Sequence, residues 1–166
     1  MADISHEFYL SFNEPPIIFM NALEADDLVF SLQCKSKDGV IRTIRGHKCA
    51  TAADLHNEVA AVLQFPDYYG ENWDAMDECI TDLEWLPGSW YLINLCRVQS
   101  VLPDDERNFK IFMSILLDAG RTWANPSYRG MSSEHPSKPF NIIISGNEPG
   151  ISRAKRAIGM LLEKGR

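Results

Sequence analysis

No lysine or arginine falls between Cys49 and Cys96, although Asp54, Glu58, Asp67, Glu71, Asp74, Asp77, Glu78, Asp82 and Glu84 all lie in that stretch. A run of carboxylates without an internal cation is either a solvated face or a face that meets a basic partner. The net charge of -7 over 166 residues argues against a nucleic-acid-binding chain. The chain ends basic, at Arg153, Lys155, Arg156, Lys164 and Arg166, but no aromatic residues interleave these cations for base stacking. No apolar run approaches the roughly 18 residues of a membrane span, and the first residues lack a charged start followed by an apolar stretch. A cytosolic protein away from membranes is the expectation. There is no C-x-x-C pair among Cys34, Cys49, Cys79 and Cys96, so buried, reduced thiols are expected. Cys49 with His47 and His56 matches no closed zinc pattern, and no cofactor or metal is expected. Gly146 to Gly150 matches neither a P-loop nor a dinucleotide fingerprint and reads as a plain turn.

What the chain does have is one concentrated stretch, residues 65 to 85, where aromatics and carboxylates crowd together. Pro66 fixes the chain before a turn, Gly70 allows a positive φ, and Asn72 is placed to cap a helix starting near Trp73. Trp73, Met76, Cys79, Ile80 and Leu83 recur at helical spacing and predict a buried stripe. At about 100° per residue, Asp74, Asp77, Glu78, Thr81 and Asp82 then share the opposite face. Like charges four apart, Asp74 with Glu78 and Glu78 with Asp82, work against an isolated helix by about 0.2–0.5 kcal/mol each, so keeping them suggests a use.

The run Tyr68-Tyr69-Gly70-Glu71-Asn72-Trp73-Asp74-Ala75, followed by Cys79 and preceded by Asp54-Leu55-His56, closely resembles the barstar family of ribonuclease inhibitors. The likeness extends from about Val40 to about Ser145 and is strongest from Asp54 to Thr81. It implies a barstar-like α/β layered fold. It also implies a cytosolic immunity protein whose tyrosine-rich loop and acidic helix plug the active site of a small, basic ribonuclease. By matching position, Tyr68, Tyr69, Gly70, Asn72, Trp73, Asp74, Asp77, Glu78 and Thr81 form the implied partner-binding surface. Asp118, near the end of a later helix, joins them by an approximate match. Glu78 stands where the family prototype has an aspartate, and Asp77 where it has a tryptophan. No catalytic residue is implied, and the free protein is expected to be a monomer.

The remainder reads as one domain over residues 1 to 166, its core at about 40 to 145. Glu7 to Phe12 alternates weakly like a strand, Pro15-Pro16 interrupts, and Ile17 to Met20 is a short apolar run, together an added segment covering part of the domain. Leu28 to Cys34 and Val40 to Arg45 flank Asp38-Gly39 and predict a hairpin whose second strand enters the sheet. Thr51 with Asp54 opens a helix with Leu55, Val59, Val62 and Leu63 inward, while His56 and Asn57 leave that stripe and His56 takes a structural role. Trp90 to Leu95 predicts a strand covered on both faces. Pro103-Asp104-Asp105 predicts a helix burying Phe109, Phe112, Met113, Leu116 and Leu117 and ending at Gly120, before a long loop over 121 to 139. Phe140 to Ile144 is the last strand, and Ser152 to Leu162 the last helix. The alternation predicts an α/β layer fold on a small, mostly parallel sheet. Two other functions compete: a divalent-metal enzyme using Glu71, Asp74, Asp77, Glu78 and Asp82, and an interaction module with a non-nuclease partner.

Overall fold

The computed structural model describes residues 9–35, 37–129 and 136–164. Glu7 and Phe8 of the expected first strand, Ser36 of the expected hairpin turn, residues 130–135 of the expected loop, and the terminal Gly165 and Arg166 lie outside them. Four strands, β1 (Ile17–Asn21), β2 (Val40–Arg45), β3 (Tyr91–Cys96) and β4 (Phe140–Gly146), form one sheet in the order β1-β4-β3-β2. Every pairing is parallel, so each strand must return through a crossover. The crossovers are helices α1 (Ala22–Lys35), α2 (Ala52–Leu63), α3 (Trp73–Asp82) and α4 (Glu106–Ala124), and α5 (Glu148–Lys164) closes the described chain. None of the described helices is long and apolar enough to cross a membrane.

The alternation of the strands divides the core in two. Ile17, Val40, Ile44, Tyr91, Ile93, Leu95, Phe140, Ile142 and Ile144 pack in one cluster with the inward residues of α2, α3, α4 and α5. The intervening Leu92 and Ile143 pack with Tyr9, Ala25, Val29 and Leu32, three of them on α1, so α1 covers the face opposite the other helices. Both central strands are thereby buried on both faces, which is why Tyr91 to Leu95 is apolar except for the buried Asn94.

The predicted hairpin is not formed. Leu28 to Cys34 lies within α1, because a parallel β1 and β2 need a crossover and because Ala25, Val29 and Leu32 are spaced for a helix. Residues 9–12 form no strand, whereas Ile17–Asn21 is an edge strand paired to β4. Gly120 does not end its helix. α4 continues to Ala124, and the glycine sits where a Cβ would meet the Pro16 ring and the Phe140 carbonyl. The first residues of the expected long loop are thus helical, followed by a 3₁₀ turn at Pro126–Arg129.

The other start signals hold. Thr51 and Asp54 make a full capping box at α2, and Asp105 accepts from the amide of Asn108 at the start of α4. At α5 the expected turn is already helical from Glu148, and the amides of Asn147 and Gly150 bond Gln99 Oε1 and Asn147 Oδ1. Arg153 is turned inward, its guanidinium 3.6 Å from the Phe109 ring centre and bonded to the carbonyls of Val101 and Leu102 and to Glu106. One cation of the basic end therefore works within the fold. The four cysteines are free, as expected, but Cys34 is exposed on α1.

Candidate functional site

The stretch from Gln64 to Asn72 joins α2 to α3 and is anchored from beneath by aromatic rings. Gln64 takes the left-handed conformation that ends α2. Phe65 then packs edge-on against Tyr69 and Trp85, with centroids 4.9 and 6.1 Å away, and the Trp85 indole donates to the Leu63 carbonyl at 2.9 Å. The Tyr69 amide donates to Pro66, closing a turn that leaves Tyr68 at its tip with 74% of its surface exposed. Tyr69 points the other way. Its hydroxyl meets His56 Nδ1 at 2.5 Å, and the His56 ring lies 4.5 Å from that of Trp73. Sequence placed His56 off the buried stripe of α2; it is buried, and it joins the loop to both flanking helices. Burial lowers its pKa, opposed in part by Glu71, and burial pushes the Tyr69 hydroxyl up, so the neutral pair is the favoured form.

The left-handed residue of the loop is Glu71, with φ 48°, rather than Gly70. Asn72 caps α3 as expected, accepting from the Ala75 amide at 2.9 Å, and its amide group donates back to the Gly70 carbonyl at 3.1 Å. Trp73 is half-buried at the start of α3. Its indole donates to Asn108 Oδ1 of α4 at 3.1 Å, and Asn108 in turn bonds Asp105. Nothing in the residue pattern singled out Asn108, since a lone polar residue at a helix start carries no periodic signal.

The predicted acidic face is partly as expected. Asp74 and Glu78 are exposed, while Asp77 and Asp82 are half-buried. Thr81 is not on that face. It is buried, and its hydroxyl donates back to the carbonyls of Asp77 and Glu78. Asp118 of α4 does come together with the helix: Asp74, Asp77 and Asp118 rim a groove of about 240 Å³ whose apolar part is Trp73, Ile111 and Ile115. Ser114 bonds Asp118 at 3.3 Å. Glu58, counted with the acidic block, is withdrawn from it by bidentate bonds to Arg45 at 2.7 and 2.8 Å, which hold its carboxyl below the usual range.

The surface is therefore a rigid loop tip, an acidic helix and a shallow carboxylate-rimmed groove. Among the described residues no three of His, Cys, Asp and Glu converge so as to hold a metal ion. Burial pushes the Cys49 thiol up to about 12 and raises that of Cys79, the opposite of what a nucleophile needs. Parallel sheet, helices on both faces and an exposed loop-helix surface place the chain in the layered α/β class. The family model for barstar (barnase inhibitor) matches residues 40–144, and the chain belongs to that family. Members of this family are inhibitors rather than enzymes. β1 and α1 precede the matched span and α5 follows it.

Proposed function

We propose that this chain is an intracellular immunity protein that blocks a basic ribonuclease by covering its active site with the loop tip and α3. The observation that carries the reading is the position of Tyr68, nearly three-quarters exposed on a loop that the His56, Tyr69 and Trp73 contacts hold in place, directly before exposed Asp74 and Glu78. A rigid exposed aromatic beside carboxylates suits an interface anchor, since little conformational entropy is lost on docking. Asp74 and Glu78 stand in for substrate phosphates before the Arg, Lys or His side chains of a nuclease, with Gly70 letting the loop approach closely. Trp73, Tyr69 and Asn72 position this surface. Asp77 and Asp118 line the groove beside it, and buried Thr81 supports the end of α3 through its bonds to the Asp77 and Glu78 carbonyls.

The experiment is inhibition and affinity capture with a panel of small basic ribonucleases, barnase included. Stoichiometric inhibition by the parent chain, lost in Tyr68→Ala with Asp74→Ala, supports the reading. RNA or phosphoester turnover by the chain itself, tracking with the purified protein, overturns it. Capture of a non-nuclease partner through the same residues would favour an interaction module instead.

A further inference from the structure

Three of the large apolar side chains most exposed to solvent, Phe12, Leu23 and Phe30, belong to the segment that precedes the family span. Two of them lie on α1. Leu23 is 72% exposed and Phe30 69%, and at about 100° per residue they share one narrow band with Asp27 and Cys34. Ala25, Val29 and Leu32, which pack on the sheet, are on the opposite side of the helix. The band is therefore centred on the outward face, where helices of a monomer carry polar residues.

The flank of this band has a charge order. Glu24 and Asp27 stand near the start of α1 and Lys35 at its end, all exposed. A helix with acid at one end and base at the other is complementary to its own reversed copy, because antiparallel pairing brings like flanks together. With Glu24 opposite Lys35 of the second copy, the two-fold axis falls between residues 29 and 30, and the two Phe30 rings meet beside it. Apolar seam and charges agree on one register. An anionic membrane is a poor alternative occupant, since Asp27 lies within the band and Glu24 and Asp26 border it.

We propose that α1 is a self-association surface through which two copies of this chain pair antiparallel and back to back. α1 and α3 lie against opposite faces of the sheet, so pairing leaves both copies of Tyr68, Asp74 and Glu78 facing outward. The dimer binds two partners at once. A 14-residue helix is about 21 Å long, and one face of it falls short of the roughly 800 Å² per partner of a stable interface. The dimer is accordingly weak and forms at micromolar concentrations or above. This differs from the free monomer expected from the sequence.

Sedimentation equilibrium of the full chain from about 1 to 500 μM, under reducing conditions, tests the proposal. The expected result is a concentration-dependent approach to twice the monomer mass, weakened at least about tenfold by Phe30→Glu. Glu24→Lys and Lys35→Glu should each weaken association, and the two together should restore it, a rescue that an unrelated apolar contact does not give. All three positions are exposed; reversing the charges at the ends of α1 opposes its dipole and should lower thermal midpoints slightly, and the variants remain folded. A monomer across the whole range overturns the proposal. So does a dimer that is indifferent to Phe30→Glu, or a double variant no stronger than the single ones.

Discussion

At the scale of single residues, Glu78 carries the sharpest test of the inhibitory surface. Its carboxylate is one methylene further from the backbone than the aspartate of the family prototype. Fixed donors meet a carboxylate at about 2.7–2.9 Å, so the added carbon requires a deeper pocket in the cognate enzyme. Glu78→Ala should slow association modestly and act chiefly by raising the dissociation rate, at least about tenfold in surface plasmon resonance, because a buried cation of the enzyme loses its partner. Asp77, half-buried and turned by about 100° into the groove with Asp118, should matter less. The reverse order would show that the family register does not carry over. His56 offers a second test. Unfolded, it binds a proton near its ordinary 6.5; folded, burial holds it lower. The unfolded chain therefore takes up more protons as pH drops below 6.5, so this contribution to stability is complete above 6.5 and is lost as pH falls through the folded value. In urea titrations at pH 7.5 and 5.5, the parent should lose more stability than His56→Gln, which still offers Tyr69 an acceptor but does not titrate. Equal losses would remove the latch argument.

Gly120 shows at the scale of elements how a local rule and a tertiary contact oppose each other. In an exposed helix interior Gly→Ala gains about 0.8–1.0 kcal/mol of propensity. Here the new methyl would press on the Pro16 ring and the Phe140 carbonyl, and overpacking of that kind costs about 1–3 kcal/mol. Gly120→Ala should therefore destabilise, by about 1 kcal/mol in chemical denaturation; a stabilised variant would mean that the segment before β1 yields readily. The same conflict explains what the sequence pattern conveyed and what it hid. Helices marked by caps, at Thr51, Asn72 and Asp105, were legible because each cap is a local bond between residues three apart. The apolar strands β3 and β4 were legible by composition. Part of α1 reads as a strand because Leu28, Val29 and Phe30 are β-compatible one by one, whereas the parallel sheet and the helical spacing of Ala25, Val29 and Leu32 decide for a helix. Thr81 was misplaced because a wheel extends the acidic face to the last turn, whereas packing of α3 in the fold buries Thr81 there and turns its hydroxyl back to the Asp77 and Glu78 carbonyls. His56 could be noticed through its motif, but its bond to Tyr69, thirteen residues away, could not.

The whole molecule carries its charge unevenly, and the parts that remain exposed after folding decide its long-range behaviour. Glu58 is neutralised by Arg45, and Arg153 is bound to Glu106 and to backbone carbonyls, so neither end of the sequence-level charge map reaches solvent unaltered. What survives is the exposed surface of Glu71, Asp74 and Glu78, with half-buried Asp82 beside them and no lysine or arginine on α3 itself. Such a surface attracts a basic partner over a distance set by salt, about 30 Å at 0.01 M and about 8 Å at 0.15 M. Steering of this kind acts on encounter more than on the docked complex. The association rate with the cognate ribonuclease should therefore fall by about tenfold or more between those two salt concentrations, while the dissociation rate changes far less, in stopped-flow measurements. Asp74→Asn should flatten that salt dependence, because its exposed carboxylate contributes to the field. Tyr68→Ala should leave the slope unchanged and speed dissociation instead. An association rate indifferent to salt would separate the acidic face from recognition and leave the aromatic loop as the part of the surface that a partner reads.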